Sequence, residues 1–486
     1  MPANKLLALF FATILLVILA GCGGGSSPLA KPPMGGFTNA NLSGMYAFSV
    51  SGTNASALGF FAIAGSFQAD GSGHITSGVE DVNNSNGVFT NQSLTGTYTV
   101  RADGRGTATL SSGAGNMAFD FVIVSAQRAL ISRFENTATG SGSIDMQTSS
   151  AFSNPALAGA FAFSVAGIDS IGNPLAIAGN FSVDAAGNIT PGVHDMNDNG
   201  TVFTNTALSG GPFSAISGNG RGTVSLTTAL GARSFAFYVV DANHLKMVEI
   251  DTVPVLAGDA FRQVGPFSNA SLSGPFAFTA AGADVINGPF ATGGVLTADG
   301  AGNVTTGAVD INDAGVLAAN LALTGTYSVS ANGRGTLALT DAAGTSNFAV
   351  YPSSGGVLAI ETDLQFVVAG TALQQTGSFS NGTLQGTYAM NFTGATPSGE
   401  IDSITQFTAS GTGSLTGSLD LNNVGSLSTG LALTGTYAFA ANGRSPSTLQ
   451  SVFGPQNIKV YAVNSSRALF IELDSNLVAV GDMQHQ

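Results

Sequence analysis

The sequence is poor in charge and above all in positive charge. Lys and Arg together number 14 in 486 residues, against 28 Asp and Glu, and the formal net charge is −14. Phosphate recognition needs clustered cations, so this balance excludes a nucleic-acid-binding surface. Long amphipathic helices need charged outer faces, and a chain that is only 9% charged argues against them. Trp is absent, which disfavours an aromatic stacking platform for sugars.

Cysteine is equally scarce, because Cys22 is the one cysteine of the chain. This excludes an internal disulfide framework and a Cys-based metal cluster. Lys5 and the apolar run Leu6–Leu19 have the pattern of a signal peptide over residues 1–21. The run ends in Leu-Ala-Gly-Cys, which resembles the lipobox of bacterial lipoproteins. The resemblance implies cleavage before Cys22 and a lipid on Cys22.

Residues 22–36 are rich in Gly, Ser and Pro and are expected to be a tether. No later apolar run reaches the roughly 20 residues that span a bilayer. Gly23, in place of Asp after the cysteine, resembles lipoproteins that are sorted to the outer membrane. We therefore expect a cell-envelope protein, anchored by lipid in the outer membrane and facing the periplasm or the outside.

Four tandem copies of one unit fill the rest of the chain. A Phe-[Ser/Thr]-Asn start recurs at spacings of 115, 115 and 112 residues, at Phe37, Phe152, Phe267 and Phe379. Repeats longer than 100 residues are whole domains and not solenoid units. The expected domains are residues 37–151, 152–266, 267–378 and 379–486.

Short alternating runs separated by turn signals predict an all-β fold. In Tyr46–Val50 the large side chains fall on one face, and Asn-Gly or Asp-Gly pairs punctuate such runs. About eight strands per copy favour an up-and-down antiparallel barrel or a small sandwich. The openings of the type Leu-x-Gly-x-Tyr resemble those of avidin and lipocalin barrels, and this resemblance implies the same fold class. An eight-bladed propeller remains the alternative, since the opening occurs twice per copy, as at Leu42 and Leu94.

The recurring phrases Gly-x-[Tyr/Phe]-Ala-Phe, Asp-x-Asn, Leu-Thr-Gly-Thr-Tyr and Asn-Gly-Arg-Gly-Thr also resemble tandem-repeat lipoproteins of acidobacterial genomes. This class has no established activity, so the resemblance implies surface display and no reaction.

An Asp-x-Asn motif recurs once per copy and is the first candidate site. Turn formation is the favoured interpretation, because Asp and Asn side chains bond their own backbone. In copy two the run Asp195, Asn197 and Asp198 resembles part of an oxygen-rich calcium loop, but a full loop needs more carboxylates and a distal Glu. The four motifs are Asp81/Asn83, Asp195/Asn197, Asp310/Asn312 and Asp420/Asn422.

The second candidate is an arginine after the hairpin glycine, together with a glutamate late in each copy. We expect an ion pair within each domain or a ligand contact at a barrel mouth, and the strand parity places the arginine on the outer face. An exposed pair adds no more than about 1 kcal/mol. The pairs are Arg105/Glu135, Arg221/Glu249, Arg334/Glu361 and Arg444/Glu472.

No nucleophile elbow, zinc-protease or phosphate-loop motif is present in the sequence. A hydrolytic or metal site in copy two, using His194, Asp195, Asp198 and His244, is the least favoured function. The leading hypothesis is a non-enzymatic, lipid-anchored protein for surface interaction, adhesion or structural display, with an unidentified envelope or extracellular partner. The alternative is a carrier that holds a small apolar ligand inside each barrel. No cofactor is expected.

Overall fold

The computed structural model describes residues 36–55 and 59–486, which form four antiparallel eight-stranded barrels. Consecutive strands pair with each other and the last strand of a repeat pairs with the first, so each barrel is of the up-and-down type. This confirms the all-β prediction of tandem barrels, and the propeller alternative is wrong. The signal peptide, Cys22 and all of the tether but residue 36 lie outside the described residues.

Barrels 1 and 2 are closed by pairing of their first and last strands. Ile144 pairs with Phe48 in barrel 1, and Ala260 pairs with Phe163 in barrel 2. The strands of barrel 1 are β1 (Ser43–Asn54), β2 (Phe60–Asp70), β3 (His74–Asn84), β4 (Gly87–Val100), β5 (Arg105–Ser112), β6 (Gly115–Ser125), β7 (Arg128–Glu135) and β8 (Ala138–Met146). Those of barrel 2 are β9 (Gly159–Ile168), β10 (Pro174–Val183), β11 (Ile189–Asp198), β12 (Thr201–Gly210), β13 (Arg221–Thr228), β14 (Gly231–Asp241), β15 (His244–Glu249) and β16 (Val255–Gln263).

Barrel 3 differs in that its fourth strand is interrupted at Leu323 and counts as two segments. Its strands are β17 (Ser273–Asp284), β18 (Gly288–Asp299), β19 (Asn303–Asp313), β20 (Val316–Ala322), β21 (Thr324–Val329), β22 (Gly335–Thr340), β23 (Thr345–Ser353), β24 (Gly356–Glu361) and β25 (Phe366–Gln374). Barrel 4 consists of β26 (Gln385–Thr396), β27 (Gly399–Ser410), β28 (Ser414–Asn423), β29 (Ser426–Tyr437), β30 (Arg444–Ser451), β31 (Gly454–Asn464), β32 (Arg467–Glu472) and β33 (Val478–His485).

Helical structure is confined to short turns where each repeat begins. One α-helix, α1 (Asn154–Leu157), and four 3-10 turns occur in the described residues, at Asn39–Asn41, Ser149–Ala151, Asn269–Ser271 and Asn381–Thr383. None of the helices in residues 36–55 and 59–486 has the length and apolar character required to cross a bilayer.

The start of each repeat is attached to the hairpin between its fourth and fifth strands. In repeat 3, Asn269 Oδ1 accepts from the Val329 amide at 2.9 Å, and the Tyr327 hydroxyl donates to the Leu272 carbonyl at 2.6 Å. Repeats 1 and 4 make the same bonds through Asn39 and Tyr98, and through Asn381 and Tyr437. These bonds explain why the Phe-x-Asn start and the Leu-Thr-Gly-Thr-Tyr phrase recur together.

Large side chains fill the barrels and small ones cover their outer faces. Along β1, Phe48 and Val50 point into the core of barrel 1, whereas Ala47 points outward and is also fully buried. The outward alanines are buried because strands one to three of each repeat pack on strands six to eight of the next repeat. Repeat 4 packs in the same way on repeat 1, through Ala389, Ile404, Val122 and Leu130. The four barrels therefore form a closed ring.

Neighbouring barrels stand side by side with like ends together. We call the end that carries the loops after the first, third, fifth and seventh strands the hairpin end, and the opposite end the linker end. At the hairpin end the Asn197 side chain reaches the Asp363 carbonyl of the next repeat. At the linker end the Gln263 side chain reaches the Gly333 carbonyl. The hairpin ends of all four barrels consequently share one face of the ring.

Candidate functional site

One arginine per repeat reaches the preceding repeat and binds the aspartate of its Asp-x-Asn motif. Arg334 Nε donates to Asp195 Oδ2 at 2.7 Å, and Arg334 Nη2 donates to Asp195 Oδ1 at 2.6 Å. The planar guanidinium matches the carboxylate at two points, which is the strong form of this interaction. The Asp195 side chain is fully buried and that of Arg334 is 13% exposed. The same two-point geometry joins Arg221 to Asp81 and Arg444 to Asp310.

The expected pairing of each arginine with the glutamate of its own repeat is wrong. The arginine does lie on the outer face of its barrel, as strand parity predicts, but the neighbouring barrel covers that face. The arginines are therefore part of an interface, and their partners are Asp81, Asp195, Asp310 and Asp420 in place of Glu249, Glu361, Glu472 and Glu135.

A tyrosine from the sixth strand completes three of these contacts. The Tyr238 hydroxyl donates to Asp81 Oδ2 at 2.5 Å, and the Tyr461 hydroxyl donates to Asp310 Oδ2 at 2.7 Å. Tyr351 donates to Asp195 in the same way. Burial, together with the adjacent carboxylate, raises the pKa of each of these phenols well above its usual value. The tyrosines thus remain donors, and each buried carboxylate has cross-repeat partners for both oxygens.

The asparagine of the Asp-x-Asn motif also belongs to the interface. Asn197 Nδ2 lies 2.8–3.3 Å from the carbonyls of Glu361, Asp363 and Phe366 in the next repeat. Asn83, Asn312 and Asn422 contact three carbonyls of their neighbours in the same way. The expected turn chemistry is present as well, since Asn197 Oδ1 accepts from the Gly200 amide at 2.9 Å. The motif therefore joins a turn to the adjacent barrel.

The late glutamates lie inside the barrels. Glu249 is fully buried and neither of its carboxylate oxygens has a protein hydrogen-bond donor. Desolvation raises the pKa of Glu249 to about 9, that of Glu361 to about 8 and that of Glu472 to about 10. Glu135 differs, because Arg133 of its own strand lies 3.3 Å away. Three of the four glutamates are accordingly protonated at neutral pH.

A glutamine at the end of each repeat also crosses to the next repeat, and none of the predicted site residues includes it. Gln263 Nε2 donates to the Gly333 carbonyl at 3.2 Å and to the Pro352 carbonyl at 2.9 Å, both in the next repeat. Gln147 and Gln375 make the same pair of contacts, and Gln486 makes it with Asp103 and Ile123 of repeat 1. Alignment of the repeat ends would have found the signal, because Met-Gln, Arg-Gln, Gln-Gln and His-Gln occupy this position.

The hairpin glycine of each repeat is required by this contact. Gly333 has φ +83°, and a Cβ there would lie 2.9 Å from Gln263 Nε2 and 3.0 Å from the Phe267 ring. The recurring [Asn/Asp]-Gly-Arg phrase is therefore a docking element, in which the glycine makes room for the neighbour's glutamine and the arginine binds the neighbour's aspartate.

The interface between repeats 4 and 1, which we call the closing interface, differs from the other three. Val122 stands where the other repeats have tyrosine, and Ile404 stands where they have Ala64, Ala178 and Gly293. The larger Ile404 fills the space that a tyrosine ring occupies elsewhere. Arg105 contacts Asp420 through Nη1 alone, at 3.2 and 3.3 Å, and its Nε turns to Asp103.

Additional acids are buried at the closing interface. Asp120 is 6% exposed, and burial together with Asp420 raises its pKa to about 7. Asp402 is fully buried and accepts from the Thr139 hydroxyl of repeat 1 at 2.6 Å. Burial raises the pKa of Asp402 to about 6. This interface therefore carries titratable groups at positions where the interface between repeats 1 and 2 has Ala236 and Ala62.

Two of the residues of repeat 2 that resemble part of a calcium loop bind protein groups of the next repeat instead. Asp195 binds Arg334 and Tyr351, and Asn197 binds the carbonyls of repeat 3. Within the described residues no group of three His, Cys, Asp or Glu side chains has a metal-binding arrangement. Asp195 and Asn197 are thus interface residues, and Asp198 lies beside Asp169, where burial raises its pKa.

The histidines of repeat 2 have separate surroundings. His194 is buried, and its Nε2 accepts from the Ala229 amide at 3.0 Å. His244 pairs with Asp259 at 2.7 Å and stacks on Phe261 with 4.4 Å between ring centroids. His194 thus accepts a hydrogen bond from the backbone, whereas His244 lies at the centre of the ring. The two histidines do not form one site.

A cavity of about 490 Å³ lies where the four repeats meet. Three ion pairs line or adjoin it: Arg128 with Asp145 at 2.5 Å, His244 with Asp259, and Arg467 with Asp482 at 2.9 Å. Lys246 of repeat 2 crosses to Asp145 of repeat 1 at 2.9 Å. Repeat 3 contributes uncharged residues instead, among them Gly355, Thr371 and Leu373. Asp145 and Asp482 each face an Arg or Lys, and Asp259 faces His244, so the centre of the ring is polar.

Burial acts against the charged form of Asp145, yet Lys246 and Arg128 together hold its pKa below the usual range. The contacts of Asp145 with Arg128 and Lys246 are therefore ion pairs at neutral pH, and the Lys246 contact joins repeat 2 to repeat 1 in addition to their outer contacts.

No protein-family profile and no curated protein matches the chain. Among solved structures, kievitone hydratase from Nectria haematococca is 10% identical and covers 70% of this chain and 92% of its own, with a TM-score of 0.18. A mutant of the vaccine antigen transferrin binding protein B from Haemophilus parasuis is 9% identical and covers 96% and 98%, with a TM-score of 0.20. A Nostoc punctiforme protein of the DUF3598 family is 7% identical and covers 70% and 100%, with a TM-score of 0.12. Similarities at these TM-scores carry no conclusion about activity or partner.

Proposed function

We propose that the protein is a lipid-anchored component of the cell envelope whose ring of barrels is a rigid platform for surface interaction. The proposal rests on one observation: the start of the described chain and the hairpin loops lie on opposite faces of the ring. The described chain begins at the linker end, where Phe37 lies beside Gly104 of the Asp-Gly-Arg hairpin. Residues 22–36 would span at most about 50 Å when fully extended. A lipid on Cys22 would therefore hold the linker face toward the membrane and present the hairpin face outward.

The closed ring supports a role in which loops are held at fixed positions. Each barrel is held by two interfaces, and every interface has an Arg–Asp pair, an asparagine and a glutamine at equivalent positions. Loops from several barrels can then engage one partner together, and weak contacts multiply through effective concentration. The proposal assigns no reaction to the ring.

The carrier alternative receives less support from the geometry. The cavity inside barrel 1 is about 20 Å³ and is lined by Phe48, Phe67 and Phe119, whereas small-molecule sites need several hundred Å³. The barrel 2 core is filled in the same way by Phe161, Phe163 and other large side chains. A ligand in every barrel would therefore have to displace packed core residues.

The test is mass spectrometry and fractionation of the protein expressed with its own leader in a bacterium. The expected product begins at Cys22, carries acyl chains and sediments with outer membranes. Cys22→Ser is expected to release the same ring into the soluble fraction, with its thermal unfolding unchanged. Protease accessibility on intact cells then distinguishes the outer surface from the periplasm. An unacylated wild-type protein in the soluble fraction would overturn the proposal.

A further inference from the structure

Exposed large apolar side chains are concentrated on the hairpin face. Twelve such residues occur in the described chain, and eleven lie in or beside the hairpin-end loops of repeats 2, 3 and 4. The exposed fraction is 81% for Ile171, 76% for Ile286 and 62% for Phe453. The one member at the linker end is Val264. The eleven are Ile171, Leu230, Val253, Val285, Ile286, Val316, Leu317, Leu364, Leu427, Val452 and Phe453.

The same loops carry negative charge and no positive charge. Four loops per barrel give sixteen at this end, and their sequences contain five aspartates and no Lys or Arg. The aspartates lie in repeats 2 to 4, where the apolar side chains also lie: Asp169, Asp251, Asp341, Asp363 and Asp474. Arg233, whose Nη1 lies 3.5 Å from the Val253 carbonyl, is a cation beside these loops, and the five aspartates leave the loops net negative. An apolar surface with net charge of one sign suits a partner of the opposite sign.

A pocket opens on this face at the mouth of barrel 4. Its volume is about 270 Å³, and its apolar lining includes Phe392, Ile401, Leu421 and Phe453. Asp474 lies at the same pocket. Binding energy at protein interfaces concentrates where one large side chain fills such a pocket. The pocket suits an aromatic or aliphatic side chain that has a cation next to it.

The negative charge of the hairpin face indicates which kind of partner binds there. A second copy of the ring would bring the same aspartates face to face, and an anionic bilayer would repel them. The chain's own N-terminal segment leaves from the linker end, on the opposite face. A basic and apolar polypeptide satisfies both the aspartates and the apolar residues.

We propose that the hairpin face of repeats 2 to 4 binds a polypeptide partner that presents apolar side chains next to Lys or Arg, with one apolar side chain in the barrel 4 pocket. This inference deepens the proposed interaction role and rests on it. Acylation at Cys22 is measured separately, so a failure of the anchor and a failure of this face are distinguishable.

The probe is a synthetic 20-residue amphipathic peptide of Leu, Phe and Lys, compared with a peptide that has Glu for Lys and one that has Ser for Leu and Phe. Binding to the full mature chain is measured by fluorescence anisotropy. The test variant combines Ile171→Ser, Ile286→Ser, Leu364→Ser and Phe453→Ser, all at exposed positions. Val264→Ser at the linker end is the matched control, and Ser428→Phe fills the barrel 4 pocket without removing an apolar group.

The Lys peptide is expected to bind, and the fourfold variant and Ser428→Phe should each weaken it about tenfold or more, as loss of a central apolar anchor does. Raising salt from about 50 to about 500 mM should weaken it as well, since the aspartates are partly accessible to solvent and salt screens their charges. Val264→Ser should leave it unchanged. Equal binding of the Glu peptide, unchanged affinity in the fourfold variant, or no binding of the Lys peptide would overturn the proposal.

Two further outcomes assign the face to another occupant and also overturn the proposal. The first is concentration-dependent dimerisation that the fourfold variant abolishes, measured by analytical ultracentrifugation. The second is binding to phosphatidylcholine vesicles that the same variant abolishes while Val264→Ser retains it.

Discussion

The Arg105 guanidinium lies 3.2 Å from the Asp420 carboxylate, a residue 315 positions further along the chain. This contact joins the first repeat to the last. Its counterparts between successive repeats use the same residue types, so one interface is used four times and the fourth use closes the ring. The arrangement leads to four predictions about stability.

Arg334→Ala is expected to destabilise the protein by about 3–5 kcal/mol, because it leaves the buried Asp195 carboxylate without its cation. The free energy of unfolding, from urea denaturation, measures the effect. Arg101→Ala is the matched control: Arg101 is exposed, and its loss should change stability by no more than about 0.5 kcal/mol. Equal losses in the two variants would contradict an interface role for Arg334.

Two single substitutions should each destabilise the closing interface. Val122→Tyr crowds Ile404, and Ile404→Ala leaves a cavity. The double variant reproduces the tyrosine–alanine pairing of the other interfaces and places a phenol near Asp420. A double-mutant cycle is expected to give a favourable coupling of about 1–3 kcal/mol. Additive effects would show that the two side chains do not share one space.

The closing interface is expected to be stronger in acid. The pKa of Asp120 is about 7 in the folded protein against a usual value of 3.8, so the folded state holds this proton more tightly. Its contribution to stability is fully present below pH 4 and is lost as the pH rises to about 7. Asp120→Asn should raise the melting temperature at pH 8 and leave it nearly unchanged at pH 4. A gain of the same size at both pH values would refute the assignment.

Glu249→Gln should likewise stabilise the protein at neutral and alkaline pH. With a folded pKa of about 9, Glu249 favours the folded state below pH 4.5, and that advantage is lost progressively up to pH 9. The gain should grow by about 1.4 kcal/mol for each pH unit between pH 5 and pH 8. Glu135→Gln is the control, since Glu135 has Arg133 as a partner and its substitution should not stabilise. Calorimetry of both variants at pH 5 and pH 8 provides the comparison.

Much of the fold could be predicted from the sequence because its signals are local. Alternation along each strand, glycine turns and a fourfold repeat are properties of neighbouring residues, and they predict about eight antiparallel strands per repeat. The choice between a barrel, a sandwich and a propeller depends on the pairing of the first strand with the last, which is not local. The recurring polar residues were also found from local patterns. Their role could not be derived, because the partner of Arg334 is Asp195 in another repeat and the sequence does not say which barrel faces cover each other.

The same limit explains the error on exposure. Strand parity correctly placed Arg334 on the outer face of its barrel. The prediction then took that outer face to be exposed to solvent. The outward alanines, Ala47 and Ala162 among them, were the available signal, because a solvent-facing strand is normally polar. Small apolar residues on both faces of a strand indicate a second packed surface.

The contact of Gln486 with repeat 1 has a topological consequence. A Cβ on Gly104 would lie 2.6 Å from Gln486 Nε2 and 3.1 Å from the Phe37 ring, so the first and last described residues of the ring are neighbours. Joining them with a short linker and opening the chain between any two other repeats would conserve all four interfaces. The ring has four equivalent places at which a polypeptide can begin, and circular permutants that start at Phe152, Phe267 or Phe379 should fold to the same molecule.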